Sequence, residues 1–218
     1  MKFKDIDLYS FLGIKKSRRT SADLSVDKNV IVSGKRVSVG RYSYGYEDAT
    51  IYSLGEDGNI TIGRFCSFAF GLKLYCGVNH RVDWISTYPF GHVPNFPINL
   101  DPVKGHPQSN GDICIGNDVW IGGDVTILSG ITIGDGSVIA ANSHVVSDVA
   151  PYTVVGGNPA NKIKQRFPDE IVNRLLQIKW WNYPIEKIKS IVPFLCNQQG
   201  EIISDNLTQI EQLLQKTT

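Results

Sequence analysis

The segment ICIGNDVWIGGDVTILSGITIGDGSVIAANSHVV, residues 113–146, carries the pattern that decides the fold. An aliphatic residue recurs at every sixth position, and a small or aliphatic residue follows each one. The repeated aliphatic residues are Ile115, Ile121, Ile127, Ile133, Ile139 and Val145. A period of six fits neither the turn of an α-helix nor the alternation of one long strand. It is typical of short strands separated by tight turns, with one aliphatic side chain of each turn pointing into a narrow core.

The same spacing occurs earlier, at Ile62, Phe68 and Leu74, and breaks before Ile113. The gap contains five of the ten prolines, which cannot continue regular strands. We therefore interpret residues 81–111 as a long loop that leaves the repeat, and we call it the extruded loop. Loops longer than about 15 residues in compact domains are usually functional or disordered. The aromatic residues of this loop argue against disorder.

The chain divides into three predicted parts. Residues 1–25 form an N-terminal segment, expected to be a short helix followed by a basic turn. Residues 26–166 form the repeat domain, and residues 167–218 form a helical extension. In the extension, the apolar spacing of residues 169–181 predicts a helix that starts after Pro168. The expected fold class is thus all-β, with C-terminal α-helices.

Composition excludes several classes of protein. The 218 residues include 22 basic and 21 acidic side chains, so the formal net charge is +1. That balance argues against nucleic acid or an anionic membrane as the main partner. No apolar stretch approaches the roughly 18 residues of a spanning helix, and the N-terminus lacks the apolar run of a secretory signal. The four cysteines form no C-x-x-C pair, so we expect reduced structural thiols in a cytoplasmic protein.

Four sequence blocks, within the repeat and on either side of it, narrow the family. They are GVNHR at 77–81, STYPF at 86–90, GNDVWIG at 116–122 and GGNPA at 156–160. In this order they resemble the signature of the xenobiotic acetyltransferase branch of the hexapeptide-repeat acyltransferases, and the resemblance covers about residues 37–192. That branch includes chloramphenicol and streptogramin O-acetyltransferases and many transferases of surface-polysaccharide gene clusters.

The resemblance implies a fold, an assembly and a reaction. The fold is a left-handed parallel β-helix, and the assembly is a homotrimer with its active sites at subunit interfaces. Acetyl-CoA is the co-substrate, no metal is involved, and the acetyl group goes to a hydroxyl or an amine of a small molecule or saccharide. Because the donor thioester is already activated, direct transfer needs no covalent enzyme intermediate.

His80 is the expected general base, because an imidazole can take a proton at neutral pH and this histidine lies where the repeat meets the loop. Three residues later, Asp83 either orients the imidazole, binds the acceptor or is a solvated loop carboxylate. Trp84 and Tyr88 either line the acceptor pocket or pin the loop onto the body of the protein. We predict substrate contacts for all three.

The resemblance also implies a set of residues that bind acetyl-CoA. Trp120 flanks the pantetheine arm, and the backbone near Gly122, Ala140 and Ala141 bonds to its amides. The nucleotide end is expected to contact Asn158, Pro159, Lys162, Lys164 and Arg166, with Asn158 and Pro159 near the adenine and the basic residues at the phosphates. The alternatives are that Trp120 packs at the trimer contact and that Lys164 is a plain surface charge.

Two departures from the family pattern bear on ligands. The stretch GHVPNFP at 91–97 replaces the acceptor loop expected of antibiotic-modifying members, so we predict a surface-polysaccharide sugar or its precursor as acceptor. An antibiotic is the alternative acceptor. The usual N-P-A-K becomes N-P-A-N at 158–161, which displaces the lysine to Lys162 and affects one phosphate contact.

Two rival classes share the expected architecture. A γ-class carbonic anhydrase holds zinc with three histidines, but the four histidines here are separated by 12, 14 and 38 residues and form no close pair. The histidines are His80, His92, His106 and His144. A non-catalytic β-helix scaffold is the second rival, and it has no reason to combine a histidine-bearing loop with a cofactor-like closing block.

Overall fold

The structure is a computed structural model that describes residues 23–54, 58–94, 101–196 and 203–215. The helix and basic turn expected within residues 1–25 lie almost wholly outside the described residues. The strands found within the described ranges are β1 Lys28–Val32, β2 Lys35–Val39, β3 Thr50–Tyr52, β4 Ile60–Ile62, β5 Ser67–Phe68, β6 Lys73–Tyr75, β7 Ile113–Ile115, β8 Trp120–Ile121, β9 Thr126–Leu128, β10 Thr132–Ile133, β11 Val138–Ile139, β12 His144–Val145, β13 Thr153–Gly156 and β14 Asn161–Gln165. The α-helices in the same ranges are α1 Asp169–Ile178, α2 Ile185–Leu195 and α3 Ile203–Gln215.

The strands form three sheets that the chain visits in rotation. Sheet one has the order β1-β2-β4-β7-β10, sheet two β5-β8-β11-β13-β14, and sheet three β3-β6-β9-β12. Apart from the antiparallel pairs β1–β2 and β13–β14, the paired strands are parallel. The result is a three-sided parallel coil with three edges. The predicted β-sheet body followed by C-terminal helices is confirmed.

The period-six residues stack into one core inside the coil. Strand register places one repeated side chain directly above another in each sheet. The stacks are Ile62, Ile115 and Ile133 in sheet one, Phe68, Ile121 and Ile139 in sheet two, and Leu74, Ile127 and Val145 in sheet three. Each of these side chains is at most 5% exposed. Burying one aliphatic side chain contributes about 1.5–3 kcal/mol, so the repeat itself supplies the stability of the coil.

The corners of the coil repeat with the same period. Every sixth residue along one stretch has a positive φ: Asp118 (54°), Asp124 (56°), Gly130 (76°), Gly136 (67°) and Asn142 (58°). Glycine, asparagine and aspartate are the residues that tolerate this left-handed conformation best. The small and polar residues between the aliphatic positions therefore make the turns that rotate the chain from one sheet to the next.

The three helices form a cap over the edge between sheets one and two, and we call α1–α3 the helical cap. Arg41, on that edge, donates hydrogen bonds to the carbonyls of Trp181 and Tyr183 (3.2 and 2.6 Å). The predicted helix over 169–181 ends earlier, at Ile178, because Lys179 adopts a left-handed conformation (φ 44°) that stops an α-helix. Among the described residues, no helix has both the length and the apolar character needed to cross a membrane.

Candidate active site

His80 is positioned by the stem of the extruded loop. The chain leaves sheet three after β6 and returns to sheet one at β7. At the stem, the N–H of Asn79 donates to the Gln108 carbonyl (3.1 Å) and the N–H of Gln108 donates to the Asn79 carbonyl (2.8 Å). The Asn79 side-chain amide also donates to Ser129 Oγ at a corner of the coil (3.4 Å). His80 follows this anchor directly, at the edge between sheets three and one.

One hydrogen bond selects the tautomer of His80. Its Nδ1 lies 2.7 Å from the carbonyl oxygen of Thr87. Because a carbonyl only accepts hydrogen bonds, Nδ1 carries the proton, and the lone pair of Nε2 is left to accept one. The imidazole is exposed, so a substrate can reach it. This is the arrangement that a general base requires.

Three histidines of the loop region lie together, which the sequence spacing did not predict. The ring of His106 lies 4.8 Å from the ring of His80 and 4.8 Å from the ring of His92, between centroids. Both ring nitrogens of His106 are buried and have no hydrogen-bond partner among the described residues. Desolvation first, and then the neighbouring His80 and His92, lower the pKa of His106 below 6.5. His106 is therefore a neutral imidazole packed against the expected base.

The pairing of Asn79 with Gln108 explains this cluster. It brings His80, one residue beyond the stem on one side, against His106, two residues before it on the other. No local signal in the sequence marks that pairing. The sequence argument against a metal site depended on the distance between the histidines along the chain. In the structure, His80, His92 and His106 lie next to one another despite that distance. Even so, within the described ranges no group of three or more histidine, cysteine or acidic side chains is arranged to hold a metal ion.

Asp83 does not contact the imidazole. Its carboxylate forms a bidentate ion pair with the guanidinium of Arg81, and this hydrogen bonding lowers the pKa of Asp83 below 3.8. The same guanidinium stacks on the ring of Trp84 (5.1 Å). The group that orients His80 is thus the Thr87 carbonyl, and Asp83 instead fixes Arg81. A contact between Asp83 and the acceptor stays a prediction.

The two predicted aromatic contacts lie on the segment that follows His80. Trp84 is half-buried beneath Arg81, near Gly105 on the returning arm of the loop. Tyr88 is exposed and packs against Phe90, with ring centroids 4.9 Å apart. Both residues therefore help to shape the loop. Their predicted contact with an acceptor is untested.

The residues predicted to hold the pantetheine arm lie on sheet two and on the edge that follows it. Trp120 projects from β8 and is 58% exposed. The N–H groups of Gly122 and Ala140 donate to the carbonyls of Ile139 and Val155, so these residues can bond to pantetheine amides only through their carbonyls. The Ala140 carbonyl already accepts from Ser143 Oγ (2.6 Å) and has one lone pair left. A Cβ on Gly122 would lie 2.6 Å from the amide nitrogen of Ala141, which explains the need for glycine there.

The residues predicted for the nucleotide end divide into two groups. Asn158 and Pro159 lie exposed in the turn between β13 and β14, and Lys162 and Lys164 are exposed on β14. Arg166 has partners within the chain. Its Nη1 donates to the Gly136 carbonyl (2.6 Å), and its guanidinium stacks on two aromatic rings beneath the helical cap. These contacts join the cap to the coil, and the predicted contact of Arg166 with a phosphate is untested.

The cysteines do not offer an alternative nucleophile in the core. Cys66 and Cys76 are buried, and burial raises the pKa of the Cys66 thiol to about 12. A thiol is unreactive while it is protonated. Cys66 is therefore structural, as the sequence predicts.

The structure places the base and the cofactor residues on different edges of the coil. His80 lies at the edge between sheets three and one, whereas Gly122, Ala140 and Ala141 lie at the edge between sheets two and three. The helical cap occupies the remaining edge. In a single chain, the two halves of the predicted site are thus separated by the width of sheet three.

Known proteins resemble this chain well beyond the repeat. The family described as bacterial transferase hexapeptide (six repeats) matches residues 115–147. The chain is 41% identical over 182 residues to a chloramphenicol acetyltransferase of Klebsiella aerogenes, which covers 76% of this chain and 85% of the relative. It is 42% identical over 187 residues to virginiamycin A acetyltransferase of Staphylococcus aureus, covering 79% and 82%. A probable macrolide acetyltransferase of Lysinibacillus sphaericus is 46% identical over 142 residues, covering 65% and 79%.

Proposed function

The chain belongs to the xenobiotic acetyltransferase branch of the hexapeptide-repeat acyltransferases, and we propose that it transfers an acetyl group from acetyl-CoA to a hydroxyl of an antibiotic. The observation that carries the proposal is identity of about 40% to named acetyltransferases across three quarters of the chain. The matched length far exceeds the repeat. The chain is therefore an acyltransferase, and the carbonic anhydrase and scaffold alternatives fall away.

The proposed acceptor differs from the one that the extruded loop predicted. The stretch at 91–97 led to a surface-polysaccharide sugar as the main expectation. The relatives named above support the antibiotic alternative instead, because their names refer to chloramphenicol, a macrolide and virginiamycin A. We place chloramphenicol first among these acceptors and the saccharide second.

In the proposed reaction, Nε2 of His80 removes the proton of the acceptor hydroxyl as its oxygen attacks the thioester carbonyl. The Thr87 carbonyl holds Nδ1–H and so stabilises the imidazolium that forms. Collapse of the tetrahedral adduct breaks the carbon–sulfur bond. The imidazolium then returns its proton to the departing thiolate, which leaves an ester, a free thiol and a neutral His80.

We assign His106 a positioning role in this reaction. Its ring packs edge-on against His80 and limits rotation of the imidazole, while the Thr87 carbonyl holds one nitrogen. Because the nitrogens of His106 are buried and no described residue forms a hydrogen bond with them, this histidine remains uncharged and does not compete for the proton.

The separation of the half-sites supports a homotrimer. The edge that carries His80 in one subunit has to meet the edge that carries Gly122 and Ala140 in the next subunit. In a closed ring of three subunits, each of the three interfaces joins one edge of each kind, so every active site is complete. Trp120, Asn158 and Lys164 are exposed and fit contacts with the arm and nucleotide of acetyl-CoA. Family membership also supports a left-handed course for the coil.

Thiol release from acetyl-CoA tests the proposal when it is measured with chloramphenicol, a streptogramin, a macrolide and a panel of nucleotide-linked and capsular sugars. Turnover with chloramphenicol is expected. Turnover with saccharides alone would contradict the acceptor, and failure to bind acetyl-CoA would contradict the enzyme. Light scattering should give three times the 24.2-kDa chain mass, and a monomer would contradict the shared site.

A further inference from the structure

A cavity of about 460 Å³ lies between the coil and the helical cap. All three helices contribute apolar side chains to its wall, among them Leu175, Phe194 and Leu207. Cavities of about 300–1,000 Å³ with apolar walls are typical of small-molecule sites. This cavity lies on the edge between sheets one and two, whereas the proposed acetyl-transfer site uses the other two edges.

One end of the cavity is polar, and its most unusual group is Tyr152. This tyrosine is only 1% exposed, and its hydroxyl has no hydrogen-bond partner in the part of the chain that the structure describes. A buried hydroxyl without a partner loses its hydrogen bonds to water and forms none within the protein, so its burial destabilises the folded state. Such groups are rare in folded proteins and call for an explanation, of which a missing ligand is one.

Two charged side chains line the same cavity as Tyr152. Asp118 is half-buried, and its carboxylate lies 3.9 Å from Nη1 of Arg166. The guanidinium of Arg166 is held in place by the Gly136 carbonyl and by stacking on the rings of Tyr152 (5.4 Å) and Phe167 (5.1 Å). Arg166 opposes Asp118, and the carboxylate of Asp135 also acts on Asp118 and Tyr152, so the polar end has no excess positive charge that would select an anion. It offers both donors and acceptors to an uncharged head group.

We propose that this cavity is a second small-molecule site, which takes an uncharged amphiphile with a compact ring body and one hydroxyl group. The ring body lies among Leu175, Phe194 and Leu207, and the hydroxyl bonds to the Tyr152 hydroxyl and to the Asp118 carboxylate. This site is independent of acetyl transfer, because none of these residues lies on the extruded loop or at the edge that carries Gly122.

Binding of 2-naphthol to the full-length protein tests the site, since this probe is a neutral two-ring alcohol. Calorimetry should show saturable binding at one site per chain, with naphthalene and 2-naphthoate binding more weakly. In Tyr152→Phe, binding of 2-naphthol should weaken by about fivefold to tenfold, because one hydrogen bond is lost. Leu207→Trp should abolish binding by filling the cavity.

The thermal stability of the unliganded variants separates a ligand site from ordinary packing. Tyr152→Phe removes a buried hydroxyl that has no partner, so its Tm should rise by about 2–4 °C. Tyr183→Phe, on the cap but outside the cavity wall, is the matched control and should leave binding unchanged. A fall in Tm for Tyr152→Phe would mean that water or protein already satisfies the hydroxyl, and it would overturn the proposal.

Competition identifies where the probe binds. Saturating acetyl-CoA should leave 2-naphthol binding unchanged, whatever the outcome of the transfer assay. Displacement by acetyl-CoA, or equal binding to wild type and Tyr152→Phe, would assign the probe to another site and overturn the proposal. Absence of binding to the wild type would overturn it as well.

Discussion

In the coil, every sixth side chain is buried and the chain is held by regular hydrogen bonds between stacked strands, whereas the extruded loop has exposed aromatic side chains and a stem of two backbone hydrogen bonds, with the exposed His80 next to that stem. The coil supplies stability through residues that resemble one another. The reaction proposed above uses His80 and His106, which lie at and next to the stem of the loop and have no counterparts in the repeat. The repeat is thus interrupted where the proposed reactive groups lie, so substitutions in the two regions should affect different quantities.

The largest effect on activity is expected for His80→Ala in the loop region. Loss of the general base should lower kcat by about 10²–10⁴-fold. Because the side chain is exposed, the free energy of unfolding should change by less than about 0.5 kcal/mol. Acetyl-CoA kinetics and urea denaturation measure the two quantities. His144→Gln, on β12, is the control, and retained activity in His80→Ala would contradict the mechanism.

The opposite pattern is expected for Ile127→Ala in the coil. This side chain is fully buried between Leu74 and Val145, so its truncation should cost about 2–5 kcal/mol of stability through lost burial and the cavity left behind. The folded fraction should keep its kcat. Thr132→Ala, on an exposed position of β10, should be nearly neutral. A large fall in the kcat of the folded Ile127→Ala protein would contradict the expectation that the coil determines stability and the loop region determines activity.

An intermediate effect is expected for His106. In His106→Ala the base loses the ring that limits its rotation, and kcat should fall by about tenfold with KM for acetyl-CoA little changed. His106→Phe retains the ring contact and should recover most of the activity. Equal losses in the two variants would contradict a positioning role.

The stability of the His106 variants should also depend on pH. The lowered pKa means that the unfolded state binds this proton more readily than the folded state does, so wild-type stability falls as pH drops below 6.5. His106→Phe removes that contribution and should show a flatter profile. Thermal unfolding between pH 7.5 and pH 5.5 measures the difference.

The smallest effect is expected at a corner of the coil. Burial raises the pKa of Asp118 from 3.8 to about 6, so the stability that the proton confers is present below pH 3.8 and lost as pH rises through 6. Asp118→Asn should therefore be more stable than wild type at pH 7.5, by less than about 1 kcal/mol because the side chain is partly exposed. The difference should vanish near pH 4. Asp124→Asn, at an equivalent corner, controls for the backbone conformation.

The sequence alone determined the coil, because a six-residue period is a local property that each turn satisfies in the same way. It also indicated His80, which stands where the period breaks, and the helical cap, whose apolar spacing is local. Only the tertiary structure decided which loop residues meet. His106 reaches His80 through the pairing of Asn79 with Gln108, a contact between distant positions that no period encodes.

The same reason explains why the partners of two charged side chains did not follow from the sequence. Asp83 pairs with Arg81, and Arg166 bonds to the Gly136 carbonyl beneath the cap, while their predicted contacts with an acceptor and a phosphate are untested. Each of these side chains has several possible partners within its reach. The partner is decided by packing around it, which depends on how the loop and the cap fold onto the coil.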